Sequence, residues 1–208
     1  MALPEILELL EQRREQHLAE LVEWTAIPSI SAQAQHAGDL QRACDWAADY
    51  CHAMGLETKI PPTAGHPAII ARHDAGARAP TVLLYGHYDV QPPEPLELWE
   101  SPPFIDNWGS GEAVGGNAEP VRDGALYGRG ASDNKGQLFA HLAALRGWFE
   151  VAGGPPVNLR LLIEGEEEIG SPSLGEFVAT HADELRAEWG VVSDGPMLAP
   201  GMPAVSYG

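Results

Sequence analysis

A buried-strand pattern that runs straight into a cluster of carboxylates is the feature that most constrains this chain. Residues Val157–Ile163 (VNLRLLI) are mostly apolar, which predicts a strand covered on both faces. The segment Glu164–Ser171 (EGEEEIGS) follows at once and brings three consecutive carboxylates, Glu166, Glu167 and Glu168. Adjacent carboxylates stay ionised together only in water or beside a strong positive charge. The segment is therefore either a solvated acidic loop or part of a cation site.

The rest of the chain alternates predicted helices with predicted strands. Amphipathic spacing predicts these helices: Pro4–Thr25, Asp39–Met54 with Asp39 as its N-cap, Asn134–Val151, and Ser173–His181 or further toward Arg186. Short apolar runs between turn residues predict these further strands: Glu57–Ile60, Pro67–Arg72, Thr81–Tyr85, Ala125–Tyr127, Trp189–Val192 and Pro203–Tyr207. This alternation predicts an α/β fold, a three-layer sandwich with a largely parallel central sheet.

Charge is strongly unbalanced along this chain of 208 residues. There are 30 acidic and 12 basic residues, for a formal net charge of −18. This argues against nucleic acid and anionic membrane surfaces as partners, because both repel an acidic protein. No apolar run approaches the roughly 20 residues that cross a bilayer. The first residues also lack the basic segment of a secretory signal.

The two cysteines, Cys44 and Cys51, lie on one predicted helix. They are seven residues apart. By helical rise this separation is about 10 Å, too far for a disulfide. We therefore predict two reduced core thiols, as is typical of a cytoplasmic protein.

Residues of types that are able to bind metals follow four of the predicted strands. They are His87 and Asp89, then Asp133, then Glu167 and Glu168, and finally Asp194. Taken singly, each has an ordinary explanation: a surface His–Asp pair, a helix cap, a solvated loop or a turn. Sites in open α/β sheets form beyond the carboxyl ends of the strands, so we expect these side chains to converge. A histidine with several carboxylates suits Zn²⁺, Mn²⁺ or Co²⁺ better than Ca²⁺.

Four motifs occur in an order and spacing that resemble a known enzyme family. They read GHYDVQPPEPLELWESPPF, LYGRGASDNKGQ, EGEEEIGS and VVSDG. Together they resemble the co-catalytic zinc metallopeptidases of the aminoacylase, carboxypeptidase and cytosolic dipeptidase family, and above all its carnosinase-like nonspecific dipeptidases. The resemblance covers the chain from about Trp24 onward. It implies metal-dependent hydrolysis of dipeptides or similar small amides. An N-acyl-amino-acid deacylase using the same site is an alternative.

The resemblance implies a role for each metal-binding residue. His87 and Asp194 would bind one Zn²⁺, Glu168 would bind a second, and Asp133 would bridge the two. Mn²⁺ or Co²⁺ is possible in place of Zn²⁺. A cis peptide bond would follow Asp133.

Two further carboxylates would take part in catalysis. Asp89 would hold the imidazole of His87, and Glu167 would be the general base acting on a water shared by the two metals. Glu166, where the family usually has a non-acidic residue, would be peripheral.

Two departures from the family pattern are visible. Family members continue beyond a strand resembling Pro203–Tyr207 with a lid and dimerisation domain, and then return to complete the catalytic sheet. By that comparison, residues 1–208 are the N-terminal portion of an incomplete catalytic domain that lacks the last histidine ligand of the second metal. The stretch Ile105–Glu119 is also longer than the family pattern predicts.

These departures set the expectations for the isolated chain. We expect it to bind one metal well and the second poorly, to have little peptidase activity, and to form a homodimer only in a form that carries the lid. The alternative is a non-catalytic relative that acts as a binding or interaction module.

Overall fold

The computed structural model describes residues 2–104, 121–122, 124–195, 197, 199 and 202. Its helices are α1 (Leu3–Gln12), α2 (Arg14–Ala26), α3 (Ala37–Ala53), α4 (Lys135–Ala152), α5 (Leu174–Thr180) and α6 (Ala182–Leu185). Its strands are β1 (Glu57–Lys59), β2 (Ile69–His73), β3 (Thr81–His87), β4 (Val121–Arg122), β5 (Ala125–Leu126), β6 (Asn158–Glu164) and β7 (Trp189–Val192). The predicted strand Pro203–Tyr207 and the stretch Ile105–Glu119 lie outside the described residues.

Five of the described strands form the central sheet, in the order β1-β2-β6-β3-β7. Strands β6, β3 and β7 are parallel, whereas β2 is antiparallel to both of its neighbours, β1 and β6. Four of the five strands therefore point the same way, which confirms the predicted, largely parallel sheet. The register sets His87 beside Glu164 and Tyr85 beside Val192. The carboxyl ends of three adjacent strands thus meet at one edge.

Helices cover both faces of the sheet and complete the predicted three layers. Adjacent residues of a strand point to opposite faces, and in β6 both Leu161 and Leu162 are buried. Leu161 belongs to the larger core, which includes residues of α2, α3 and α4. Leu162 belongs to a smaller core with Phe177 of α5 and Leu185 of α6. Strand β6 is apolar on both faces because a layer of helices packs against each face.

The predicted helix Pro4–Thr25 is divided into α1 and α2. The two helices meet at Arg13, whose backbone angles (φ −99°, ψ 11°) leave the helical region. Each helix buries its own apolar residues, among them Ile6 of α1 and Val22 of α2. Apolar spacing alone does not separate one long helix from two short ones. Within the described ranges, each helix is too short or too polar to span a bilayer.

The predicted N-cap of α3 was wrong. The helix begins at Ala37, ahead of Asp39, because the 3₁₀ turn Ala34–His36 runs directly into it. Asp39 therefore lies in the first helical turn, where the helix dipole favours a negative charge. Its carboxylate interacts with His36 Nδ1 and accepts a hydrogen bond from Arg42.

The strand predicted at Ala125–Tyr127 does not belong to the central sheet. Residues Ala125–Leu126 form β5, which pairs with β4 in a separate two-stranded sheet. Asp133 therefore does not follow a strand of the main sheet. It lies just before α4, so the start of a helix, rather than the end of a strand, brings it to the site.

Cys44 and Cys51 are buried free thiols, as predicted. Burial raises the pKa of both thiols to about 12. Both are therefore protonated at neutral pH and behave as small apolar core residues.

Candidate metal centre

The centre of the candidate site is the imidazole of His87, the last residue of β3. Its Nδ1 atom lies 3.1 Å from the backbone oxygen of Asp89 and 3.2 Å from a carboxylate oxygen of the same residue. Its Nε2 atom is buried and has no hydrogen-bond partner among the described residues. A buried polar atom that makes no hydrogen bond calls for an explanation. An imidazole nitrogen in this situation is a common metal ligand.

Carboxylates from other segments surround that nitrogen. The Nε2 atom lies 3.2 Å from Asp133 Oδ1, 3.4 Å from Asp194 Oδ2 and 3.9 Å from Glu167 Oε2. Burial alone lowers the pKa of His87. The hydrogen bond with Asp89, together with the charges of Asp89, Asp194 and Glu167, outweighs burial and raises that pKa to about 9. A pocket that favours a protonated imidazole when no metal is bound also favours a divalent cation.

The structure brings the four predicted ligands and the predicted base, Glu167, together in two overlapping sets. One set combines His87 with Asp133 and Asp194, and its ligand atoms all lie within 4.8 Å of one another. The second set, equally compact, combines His87 with Glu167 and Glu168. One nitrogen and several carboxylate oxygens in this space fit Zn²⁺, Mn²⁺ or Co²⁺ by the chemistry of the donors.

Asp89 couples the histidine to the glutamates. Its buried carboxylate accepts hydrogen bonds from the backbone N–H groups of Glu167 (3.2 Å) and Glu168 (3.1 Å). These residues begin the 3₁₀ turn Glu167–Ile169. Sequence reasoning related Asp89 only to the imidazole of His87. The hydrogen bonds that Asp89 accepts from the glutamate backbone could not be predicted from the motif. They form because the parallel pairing of β3 with β6 brings Asp89 close to Glu167 and Glu168.

Gln91, which sequence reasoning missed, orients Glu168. Its Nε2 atom donates a hydrogen bond of 2.6 Å to Glu168 Oε2. Burial raises the pKa of Glu168, the Gln91 hydrogen bond lowers it, and the charge of Asp133 raises it again, so the net shift is upward. A cation beside this carboxylate would therefore relieve an unfavourable charge. The sequence feature that could have indicated this role is the position of Gln91, a polar amide two residues after Asp89.

Asn134 joins the ends of β3 and β7. Its Oδ1 atom accepts a hydrogen bond from the backbone N–H of His87 (3.3 Å), and its Nδ2 atom donates one to the backbone oxygen of Ser193 (3.2 Å). Since Asp194 follows Ser193, this amide draws two of the predicted ligands toward each other. The peptide bond between Asp133 and Asn134 is cis, as expected.

Lys135 anchors the same turn to α2. Its side chain is completely buried and donates hydrogen bonds to the backbone oxygens of Trp24 (3.0 Å) and Ile27 (2.8 Å). These oxygens lie at the carboxyl end of α2, where the helix dipole favours a cation. Burial lowers the pKa of Lys135 to about 7. Sequence reasoning passed over this residue, because lysines are almost never fully buried.

The glutamate row does not form a uniformly solvated loop. Glu166 is only 5% exposed, and its carboxylate accepts hydrogen bonds from the backbone N–H groups of His66 (2.9 Å) and Ser173 (3.0 Å). It ties a loop to the start of α5 and contacts neither His87 nor Asp89 through these bonds. This arrangement agrees with the predicted peripheral place of Glu166.

A largely parallel α/β sheet, with a histidine and several carboxylates gathered beyond its strand ends, defines the class of α/β proteins with a candidate metal site at the carboxyl ends of their strands. The chain belongs to the family described as Peptidase family M20/M25/M40, whose sequence model matches residues 83–206.

Dipeptidases are among the relatives that this chain resembles. The cysteinylglycine-S-conjugate dipeptidase of Corynebacterium striatum is 32% identical over 200 residues, which are 95% of this chain and 41% of that protein. The crystal structure of human carnosine dipeptidase 1 matches with a TM-score of 0.79 at 29% identity, over 94% of this chain and 41% of that one. An M20 family metallo-carboxypeptidase from Sulfolobus solfataricus matches with a TM-score of 0.74 at 31% identity, over 87% of this chain and 38% of that one.

These matches confirm the resemblance to the dipeptidase branch and to the N-terminal part of the family. They also show that the chain spans about 40% of the length of these relatives.

Proposed function

We propose that this chain provides the metal-binding part of a site that hydrolyses dipeptides or similar small amides. The observation that carries the proposal is the buried Nε2 atom of His87, which has no hydrogen-bond partner among the described residues. It faces the carboxylates of Asp133, Asp194 and Glu167 at 3.2–3.9 Å. Membership of a peptidase family that includes dipeptidases supports peptide hydrolysis as the reaction.

Two metal ions are proposed to share this site. His87 and Asp194 are the proposed ligands of one, Glu168 is the proposed ligand of the other, and Asp133 is proposed to bridge them. Zn²⁺ is the proposed ion, since it accepts a mixture of nitrogen and oxygen ligands, with Mn²⁺ or Co²⁺ as substitutes. When bound, such ions polarise a scissile carbonyl group and lower the pKa of water.

Glu167 is the proposed general base. Its side chain is 38% exposed and lies 3.9 Å from His87 Nε2, and Asp89 fixes its backbone. It therefore borders the proposed ligands while staying accessible to a small substrate. As water attacks the carbonyl carbon, its proton passes to Glu167 and then to the amine nitrogen while the C–N bond breaks. The second proton of the water then passes to the amine as well, so the products are a carboxylate and an ammonium group.

The proposed domain assignment follows from the length of the relatives. Residues 1–208 are proposed to be the N-terminal portion of a catalytic domain, because the chain spans about 40% of those proteins. Asp133 and Glu168 alone are too few ligands for a tightly held zinc ion, so a further ligand from elsewhere in the protein is proposed, as is a homodimer in a form that carries a lid.

The proposed partner is a small peptide rather than a macromolecule. A net charge of −18 disfavours nucleic acid and anionic membranes. The reduced, buried thiols of Cys44 and Cys51 suit the proposed cytoplasmic location.

Metal titration of the 208-residue chain tests the proposed ligands. We expect one Zn²⁺ to bind tightly and a second at least about tenfold more weakly, since only two ligands serve it. His87→Ala should abolish the tight binding. His52→Ala, which changes an exposed histidine of α3, should leave it unchanged. Tight binding that survives His87→Ala would contradict the ligand assignment.

A substrate panel separates the proposed reaction from its alternatives. Dipeptides and N-acyl amino acids are offered to the zinc-loaded chain and to a longer form that carries a lid. We expect the longer form to hydrolyse dipeptides and the 208-residue chain to show little turnover. Preferential hydrolysis of N-acyl amino acids would favour the deacylase, and metal binding without turnover in either form would favour an interaction module.

A further inference from the structure

His141 is a second histidine close to the proposed metal centre, although it is not one of its ligands. It lies on α4 and is partly buried. Its Nε2 atom is 2.6 Å from the hydroxyl oxygen of Ser193, a hydrogen-bond distance. Ser193 directly precedes Asp194. None of the four sequence motifs includes His141.

The chain around Asp194 needs support that the sheet does not give it. The pairing of β7 with β3 runs from Trp189 to Val192 and stops there. Ser193 and Asp194 therefore lie beyond the last backbone pair of the ladder. Among the described strands, β7 is also the end strand of the sheet, and Val192 is 61% exposed. The ladder therefore does not hold the backbone at Ser193, which is only partly buried.

Two side chains from α4 and its N-cap supply that support by contacting Ser193. Asn134 donates a hydrogen bond to the backbone oxygen, and His141 contacts the hydroxyl group. The two residues are seven apart, so they lie on the same face of the helix, two turns from each other. Ser193 is thus held at its backbone by one and at its side chain by the other.

We propose that His141 is a positioning residue that acts through Ser193 to hold the carboxylate of Asp194 beside His87. Burial lowers the pKa of His141, which keeps its imidazole neutral near neutral pH. It therefore adds no positive charge that would compete with a bound cation. Outer partners of this kind typically change metal affinity by about 10–100-fold when they are removed. The inference rests on the proposed function only in treating Asp194 as a ligand.

A double-mutant cycle on the 208-residue chain tests this role, with Co²⁺ affinity and the visible absorption spectrum of bound Co²⁺ as readouts. The variants are His141→Leu, Ser193→Ala and the two combined. Each single variant should bind the first Co²⁺ about tenfold more weakly. The double variant should bind it no more weakly than the weaker single variant, because both changes remove one and the same contact. His141→Gln, which keeps a hydrogen-bonding group, should recover part of the affinity.

His181→Leu is the matched control, since His181 is also partly buried but contacts Glu184 rather than Ser193. It should leave Co²⁺ affinity and spectrum unchanged. Circular dichroism of the metal-free variants shows whether each one folds. If His141→Leu does not fold, Ser193→Ala decides the question by itself.

Three outcomes would overturn the inference. Unchanged Co²⁺ affinity in His141→Leu or in Ser193→Ala would show that the contact does not matter. Multiplicative losses in the double variant would show that the two residues act separately. Failure of the unsubstituted chain to bind Co²⁺ would remove the proposed metal site and this inference with it, whereas the first two results leave the metal site intact.

Discussion

The three consecutive glutamates, Glu166, Glu167 and Glu168, have the same charge but lie in three different environments. Glu166 is buried and bonded to two backbone N–H groups. Glu167 is partly exposed beside His87, and Glu168 accepts a hydrogen bond from Gln91. Substitutions of the same chemistry at adjacent positions are therefore expected to have unrelated effects.

Glu167→Gln should remove catalysis and spare metal binding. In a form of the protein with peptidase activity, we expect kcat to fall about 10²–10⁴-fold, because an amide does not accept the proton of the attacking water. Zn²⁺ affinity should stay within a few-fold, since Glu167 is not a proposed ligand. Steady-state kinetics and a zinc titration on the same preparation measure the two effects.

Glu166→Gln is the matched control, with the same loss of charge one residue away. It weakens two hydrogen bonds to partly buried backbone groups, so it should lower the free energy of unfolding by about 1–3 kcal/mol and leave kcat nearly unchanged. A larger loss of kcat in Glu166→Gln than in Glu167→Gln would contradict the assignment of the base.

The side-chain amide of Asn134, which links β3 to β7, leaves no room for a side chain at Gly86. A Cβ atom at Gly86 would lie 2.9 Å from Asn134 Oδ1 and 3.2 Å from Leu138. We expect Gly86→Ala to lower the free energy of unfolding by about 1–3 kcal/mol through overpacking, and to weaken metal binding by displacing Asn134. Chemical denaturation and metal titration measure these effects. Gly38→Ala, where nothing lies within 4 Å of the added atom, should be neutral or slightly stabilising, and equal losses in the two variants would refute the explanation.

At the scale of whole elements, Glu20 of α2 links three helices. Its carboxylate accepts hydrogen bonds from Arg146 of α4 (2.8 Å) and from the hydroxyl of Tyr50 of α3 (3.2 Å). Burial raises the pKa of Glu20, but hydrogen bonds from Gln16 and Arg146 outweigh it, so the net pKa lies below its usual value of 4.5. The ionised form therefore stabilises the folded state.

The stabilising effect of Glu20 should depend on pH in a defined direction. Because the folded-state pKa is lowered, the contribution is present above pH 4.5 and is lost as the pH falls through the folded-state value. We expect Glu20→Gln to cost about 0.5–1 kcal/mol at pH 7, as for a partly exposed ion pair, and less in acid. Urea denaturation across this range measures the difference. Glu23→Gln, an exposed glutamate on the same helix, is the control, and a pH-independent cost at Glu20 would contradict the prediction.

The elements themselves were predictable where one local pattern decides them. Strand β7 was predicted residue for residue, and β6 within one residue at each end. The break at Arg13 and the start of α3 were not, because they depend on contacts made elsewhere in the fold. The convergence of the site was predictable from the rule for strand ends, yet Asp133 reaches it from the start of a helix. Gln91 and Lys135 escaped prediction, since their partners are far away in the sequence.

At the scale of the whole molecule, metal binding should stabilise the fold. The proposed ligands come from the end of β3, the turn before α4 and the chain beyond β7, so an ion between them joins distant parts of the protein. At a free Zn²⁺ concentration of about 100 times Kd, mass action adds about 2.7 kcal/mol to the free energy of unfolding. Thermal unfolding with and without Zn²⁺ should show a higher Tm, and a chelator should reverse it.

Mg²⁺ at the same concentration is the control for general attraction of cations to an acidic chain, and we expect a much smaller shift of Tm. His87→Ala should also abolish the shift with Zn²⁺. An equal shift with both ions, or one that survives His87→Ala, would contradict a specific site.

The outer edge of β7 has a consequence for assembly. No described strand pairs with that edge, and Trp189 is 67% exposed on it. An open edge accepts a further strand, and a strand docked there would stiffen the backbone that leads to Asp194. Thermodynamic reciprocity then requires that, where docking on this edge strengthens cation binding, the bound cation favours docking by the same factor.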